Sequence, residues 1–273
     1  MSLAIIGEKK ASGAPIWNVA QLMEELRERF AADTTSRHLR KLLKTEASMT
    51  YRKIKRLSLQ TNSERCLVLR SLYAKTMLGL LDQDYRVINV DESWLSTNDC
   101  RHSKWGPRGK PNTLSMPFLW SKVNMIGALD SNGQVYLSVL QANVDTEVFL
   151  TFMTRLTKLL DLKESNWRPR TFFLLDGASY HRNPEALATM KALGLHVLIS
   201  APYSFDGAPV EKLFALIKQG RLTTDAMKTG KRQFRLVASL LARRASTLSK
   251  ASLRRLWLSS TVALTRYLTF HRV

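Results

Sequence analysis

The stretch TFFLLDGASYH, residues 171–181, decides how this chain is read. Four apolar residues in a row, Phe172 to Leu175, have the length and composition of a buried strand. They run straight into an aspartate, a glycine and small polar residues. A carboxylate at the mouth of so hydrophobic a strand either caps the next helix or is a ligand on a rigid mount. The flanking sequence bears on the choice. Downstream, NPEALATMKAL (183–193) has helical spacing, HVLIS (196–200) reads as a strand, and APVEKLFALIKQG (208–220) reads as a helix with Pro209 in its first turn. Upstream, YRVINVDES (85–93) is a β-branched run ending in acid. KVNMIGALDSNGQVYLSVL (122–140) reads as two strands joined by Asp130-Ser131-Asn132-Gly133, whose Asn-Gly signals a hairpin turn. DTEVFLTFMTRLTKLL (145–160) is an amphipathic helix. A hairpin followed by alternating helices and strands predicts an α/β layer with a mixed sheet.

Three acids stand out in that layer. Asp91 ends the strand VINVD, Asp176 ends FFLLD, and Glu211 lies in the first turns of the helix after APYSFDGAP. Carboxylates at the carboxyl ends of neighbouring strands converge over one edge of a sheet, where they repel each other unless a cation holds them. Hard divalent ions such as Mg²⁺ suit few, oxygen-only ligands. Two such ions about 3.5–4 Å apart activate a nucleophile and stabilise a leaving oxygen in phosphodiester chemistry. Asp130 is assigned to turn chemistry, and Asp206, five residues before Glu211, to another turn or, alternatively, to the metal ligands. Glu92 adjoins Asp91, and strand alternation points it to the opposite face in a supporting role.

The charge distribution names the partner. The formal net charge is +20. Residues 1–80 hold 15 basic and 7 acidic side chains, residues 81–217 hold 14 of each, and residues 218–273 hold 13 and 1. A neutral middle between two basic arms suits a polyphosphate, because each neutralised phosphate releases counterions. In the first arm, PIWNVAQLMEELRERF (15–30) places Val19, Leu22, Met23, Leu26 and Phe30 on one helical face. Capping oxygens at Asp33, Thr34 and Thr35 precede SRHLRKLLK (36–44), with Leu39, Leu42 and Leu43 inward and Arg37, Arg40, Lys41 and Lys44 outward. Two short helices with a basic second member predict a helix-turn-helix meeting DNA. MTYRKIKRLS (49–58) extends the basic surface with Arg52, Lys53, Lys55 and Arg56 as a wing or linker. In KWGPRGKP (104–111), Lys104 and Arg108 form a basic turn over DNA with Trp105 as anchor, or a solvated hairpin tip. Residues 62–81 read as a further helix ending near Gly79. The tail (231–273) reads as one or two basic helices packing on the core.

Other classes drop out. No apolar run is long enough to span a bilayer, and MSLAIIGEKK has too short an apolar patch for a signal peptide. Cys66 and Cys100 make neither a zinc site nor a disulfide framework, which fits a reducing compartment. No Walker-type loop points to ATP dependence.

The pieces VINVDESWLSTN, KWGPRGKP, FFLLDGASYH and APYSFDGAPVEKLFALIK resemble the catalytic core of mariner-superfamily DDE transposases, which include bacterial insertion-sequence relatives. SERCLVLRSLYAKTML resembles the helix preceding that core, and the 34 residues between Asp176 and Glu211 match the family's common spacing. The resemblance implies an RNase H-like core with a mixed sheet after a small helical DNA-binding domain. It implies catalysis and metal binding by Asp91, Asp176 and Glu211, with two Mg²⁺ or Mn²⁺ ions. The implied reaction is strand cleavage at transposon ends, then attack of the freed 3′-hydroxyl on target DNA, typically at TA. His181 then touches the scissile phosphate, orients Asp176, or simply packs at a helix entry. The expected division is 1–60 for DNA binding, 61–84 as a linker helix, 85–222 as the catalytic domain and 223–273 as a basic tail. The expected partner is double-stranded DNA, in a homodimeric active complex, in the nucleus of a eukaryote or the cytoplasm and nucleoid of a bacterium. Two departures stand out: Ala208 occupies the place of the family's Asn before Pro209, and the N-terminal arm has room for one helix-turn-helix rather than two. The rival reading is a catalytically silent DNA-binding remnant; a structure-specific nuclease is a third.

Overall fold

The computed structural model describes residues 2–12, 16, 18–51, 58–95, 123–218 and 231–270. They form two compact units, Met1–Leu57 and Ser58–Val273.

The first unit holds three helices, α1 (Ser2–Ser12), α2 (Val19–Phe30) and α3 (Ser36–Thr45). Asn18 caps α2 by accepting from the Gln21 amide (2.9 Å), and Thr35 caps α3 by accepting from the His38 amide (3.2 Å). Ala31, in the left-handed region at φ 46°, turns the chain out of α2. The small core is Ile5, Ile6, Leu22, Leu26, Leu39 and Ala47. Helix α1 is an addition to the sequence reading, which saw only a short apolar patch at 3–6. That patch is what closes the core. Phe30 departs from expectation: it ends α2 exposed, with the Arg29 guanidinium 5.5 Å from its ring centroid.

The second unit is built on a five-stranded sheet in the order β3-β2-β1-β4-β5. The strands are β1 (Arg86–Trp94), β2 (Asn124–Asp130), β3 (Val135–Leu140), β4 (Thr171–Leu175) and β5 (His196–Ile199). β1 to β3 pair antiparallel, while β4 runs parallel to β1 and β5 parallel to β4. The predicted mixed sheet is therefore present. Both faces are covered, which explains the unbroken apolar runs of its central strands. On one face Ile88, Val90 and Phe173 pack against Phe149, Met153 and Met190 from α5 (Thr146–Lys163) and α7 (Pro184–Ala192). On the other, Val87 and Leu174 pack against α4 (Glu64–Asp82), α8 (Pro209–Lys218), α9 (Lys231–Ser246) and α10 (Lys250–Leu268). Helix α4 continues through Gly79 to Asp82, and its Tyr73, Ala74 and Met77 join this second core. The helices of the tail join it too, through Val237, Leu241, Trp257 and Leu264. No helix among the described residues is long and apolar enough to cross a membrane.

The hairpin acid carries more than the turn chemistry expected of it. Gly133 does take the positive φ (79°) that the tight turn needs. Asp130 itself is fully buried. Its Oδ2 accepts from Nε and Nη2 of Arg86 (3.1 and 2.5 Å), its Oδ1 from the Gln134 amide (2.8 Å). Its backbone carbonyl accepts from the Trp257 indole (2.7 Å). It is a buried ion pair that ties β1, the hairpin and α10 together.

Candidate active site

Asp91, Asp176 and Glu211 line a single cleft of about 1220 Å³, with Glu92, Trp94, Tyr180, Arg182, Tyr203 and Phe205 also on its walls. Each acid is brought there by a local feature of the chain. Asp91 follows Val87 and Asn89 in strand alternation, so it faces the α8 side of the sheet, and it pairs in register with Gly127 of β2. Gly127 has no Cβ; one built there would lie 2.8 Å from Cε1 of Phe214. The glycine thus lets α8 lie close to the sheet opposite Asp91, and Glu211 sits one turn before Phe214 on that helix. Lys212 anchors α8 on its other flank, donating to the hydroxyls of Ser259 and Ser260 of α10 (both 2.9 Å). Asp176 stands just past the last residue of β4, where the β1–β4 ladder has already ended at Asn89–Leu174. The opening strands leave the space between the two aspartates.

Electrostatics mark Asp91. Its carboxyl is held well above the usual range, first by burial, then by the charges of Glu211, Glu92 and Asp176. A hydrogen bond from the Glu92 amide to its Oδ1 (2.7 Å) acts the other way. Glu211 is likewise raised by burial, against the pull of Lys218 and a side-chain hydrogen bond with Asp91.

The second face of the sheet reaches the same site. Glu92 points away from Asp91, as alternation requires, and accepts from Tyr180 OH (2.8 Å). His181 bridges the faces: its Nδ1 is 2.7 Å from Asp176 Oδ1 and its Nε2 is 3.2 Å from Glu92 Oε1. Burial works against a charge on the ring, but the bonds to Asp176 and Glu92 outweigh it and hold the pKa up at about 9. The ring is completely buried, 4.3 Å from Phe149 and 4.5 Å from Tyr180 between centroids. It has no surface to offer a phosphate, so of the alternatives left open for it, orientation of Asp176 is what the packing supports. For Asp176 burial acts upward, but His181 and the Ala178 amide (3.0 Å to Oδ1) bring its pKa below the usual value. Tyr180 and the short helix α6 (Ser179–Arg182) that carries it were not anticipated; the only sequence signal was an aromatic next to the histidine.

The donor set is oxygen only, which suits Mg²⁺ or Mn²⁺. Among the described residues, no group of three or more His, Cys, Asp or Glu side chains is closed into metal-ligating geometry. Of the expected DNA-binding residues, Arg37, Arg40, Lys41 and Lys44 are all exposed on α3. They surround one shallow depression with Thr35, His38 and Thr45. Arg52, Lys53, Lys55, Arg56, Lys104 and Arg108 lie outside the described residues. Asp206 falls in the 3-10 turn Phe205–Gly207, as its turn assignment predicts.

Asp91 does not end its strand as the sequence suggested, because β1 stays paired with β2 as far as Trp94. A mixed sheet with one acid within β1, one just past the end of the adjacent β4 and one on a covering helix defines a class, and comparison with known proteins agrees with it. The family described as DDE superfamily endonuclease matches residues 86–232. The chain belongs to that family. Its fold is RNase H-like and is similar to the Mos1 transposase paired-end complex with left transposon end (TM-score 0.74, 19% identity, covering 98% of this chain and 78% of that one). It is also similar to the Mos1 strand transfer complex (TM-score 0.71, 20% identity, 98% and 77%) and to the catalytic domain of Mos1 mariner transposase (TM-score 0.58, 17% identity, 80% and 97%). No curated protein sequence matches the chain.

Proposed function

We propose that this endonuclease is a DNA transposase, cutting strands at the ends of a mobile element and joining the freed 3′-hydroxyl to target DNA. The observation that carries the reading is Asp91, a half-buried carboxylate that shares an open cleft with Asp176 and Glu211 and is raised in pKa by burial and by the acids around it. Such a cluster is unstable unless a cation enters it. Asp91, Asp176 and Glu211 would hold the metal, either Mg²⁺ or Mn²⁺. Bound there, a pair of divalent ions lowers the pKa of an attacking water and stabilises the leaving oxygen of an in-line displacement.

The chain's own residues do the rest. His181, charged and locked between Asp176 and Glu92, fixes one rotamer of the Asp176 carboxylate and keeps Oδ1 occupied. Gly127 and Phe214 set the height of Glu211 above the sheet. Trp94, well exposed at the end of β1, and Tyr203, in the left-handed region at φ 57°, offer ring faces to a strand lying in the cleft. In this reading residues 1–60 supply recognition of the element ends through α3, residues 61–84 lead into the catalytic part at 85–222, and 223–273 add non-specific affinity. The DNA partner is a duplex carrying the element's ends, with a TA-containing target and a homodimer as the working assembly. The test is nicking and joining of an end-containing duplex with and without Mg²⁺. Metal-dependent cuts at the ends, followed by joining, are expected. Binding without cutting would contradict the reading in favour of a silent DNA-binding protein, and cutting without end preference would make the chain a general nuclease.

A further inference from the structure

Within β1, the run Val87-Ile88-Asn89-Val90 places one carboxamide among apolar residues. Asn89 is buried, with 3% of its surface exposed. Its Nδ2 donates to the carbonyl of Leu174 (3.2 Å), and its Oδ1 accepts from the amide of Val210 (3.1 Å). Both ends of the amide are thus used, and both partners are backbone groups that burial would otherwise leave costly. Their positions are what matter. Asn89 is two residues before Asp91 on β1, Leu174 is two before Asp176 on β4, and Val210 is next to Glu211 on α8. One side chain is bonded to, or part of, the backbone beside each of the three acids.

The bond to Val210 also fills a gap in the helix. The first amides of a helix lack intrahelical partners and are normally met by the side chain of the preceding residue. Here that residue is Ala208, which has no side-chain oxygen; its backbone (φ −99°, ψ 103°) is nonetheless extended, as a capping residue requires. The acceptor comes instead from a strand 121 residues away. The bond to Leu174 acts at the last pair of the β1–β4 ladder, where the strands begin to part.

We propose that Asn89 is a positioning residue, a cap for α8 supplied in trans from β1 that sets the spacing of Asp91, Asp176 and Glu211. It rests on the reading of those acids as the metal-binding centre, and it acts through them without touching substrate. The test compares the wild-type chain with Asn89→Ala and with Leu160→Ala, a core truncation on α5 that loosens the opposite face of the sheet without touching these bonds. Two quantities are measured without DNA: hydrogen exchange across 208–214, and Mn²⁺ affinity from the free-ion signal in electron paramagnetic resonance. Asn89→Ala should speed exchange at Val210 about tenfold or more relative to Leu160→Ala, the effect of one orphaned amide. It should also weaken Mn²⁺ binding by a similar factor of about ten, since the acids are no longer held at one spacing. Adding Ala208→Asn to Asn89→Ala returns a local cap and should restore much of the protection and of the Mn²⁺ affinity. If Asn89→Ala fails to fold, Asn89→Thr, which suits a strand and lacks the reach, makes the same comparison. Exchange and Mn²⁺ affinity in Asn89→Ala no different from those in Leu160→Ala would overturn the proposal. A wild-type chain that binds Mn²⁺ but never cuts DNA would refute the transposase reading and leave the decision on Asn89 to these two measurements.

Discussion

Asp130 and Asp91 are both acids with buried surroundings on the same pair of strands, and they were built for opposite purposes. Asp130 lies at the end of β2 beside the start of β1, and Arg86 meets it with two guanidinium bonds. Asp91 lies towards the other end of β1 and feels the like charges of Glu211, Glu92 and Asp176. The sheet neutralises one of these acids internally and crowds the other with like charge. A buried acid with its own counter-ion is part of the scaffold. A buried acid among other acids raises its own pKa and calls for a cation from outside. The contrast locates the chemistry at one end of β1 and the fastening of the sheet at the other.

The largest effect that sharpens the contrast is on turnover. Asp176→Asn removes one charge from the cluster while β4 keeps its packing through Phe173, Leu174 and Leu175. Metal-dependent nicking and joining should both fall by ~10³-fold or more, as expected when a metal contributing several kcal/mol to the transition state is displaced. Gel shifts should show DNA binding retained. Undiminished cutting would remove Asp176 from the centre.

The next effect is on stability. Asp130→Asn leaves Arg86, whose side chain is only 15% exposed, with the exposed Glu164 (3.4 Å) in place of its buried counter-ion. Unfolding in urea should show a loss of about 3 kcal/mol, the lower end for a broken buried pair because the amide keeps an acceptor oxygen. Activity per folded molecule should be unchanged. Equal stability with lost activity would reverse the roles assigned to the two acids.

A smaller effect has the opposite sign. The folded-state pKa of Asp91 is raised, so the metal-free protein is most favoured while that carboxyl is protonated. Its contribution is lost as pH rises from the unfolded value of about 3.9 through the raised one. Asp91→Asn does not titrate, so without metal it should be more stable than wild type at pH 8, by on the order of 1 kcal/mol, and the gap should close towards pH 4. Adding Mg²⁺ should raise the melting temperature of the wild type and not of the variant. The smallest effect concerns the basic α3 face: replacing Arg37, Arg40, Lys41 or Lys44 singly by Gln should reduce the slope of log affinity against log salt by about 1 each. An unchanged slope would take that residue off the phosphate backbone.

The sequence carried the parts of this account that depend on neighbours along the chain. The strand runs at 85–93 and 171–175, the Asn132-Gly133 turn, the cap at Thr35 and the amphipathic face of α5 are all local patterns, and each has its element. The three acids were legible because each follows an apolar strand run or opens a helix, although β1 continues past Asp91 to Trp94. What was not legible depends on contacts across the chain. Asp130 looked like turn chemistry because its partner Arg86 is 44 residues away. Asn89 carried no signal in the sequence because its partners are 85 and 121 residues away. Helix α1 escaped because its buried residues, Ile5 and Ile6, are adjacent and show no helical period. Phe30 was assigned inward by period alone, and the helix ended before the core reached it.

The central claim is that the cluster at Asp91 is a cation site and the pair at Asp130 is not. Anomalous diffraction from crystals soaked in Mn²⁺ tests it most directly. The account predicts two peaks, about 3.5–4 Å apart, in the cleft lined by Asp91, Asp176 and Glu211, with none at Asp130. Crystals that bind no Mn²⁺ between the three acids at saturating concentration, with those side chains ordered, would contradict it.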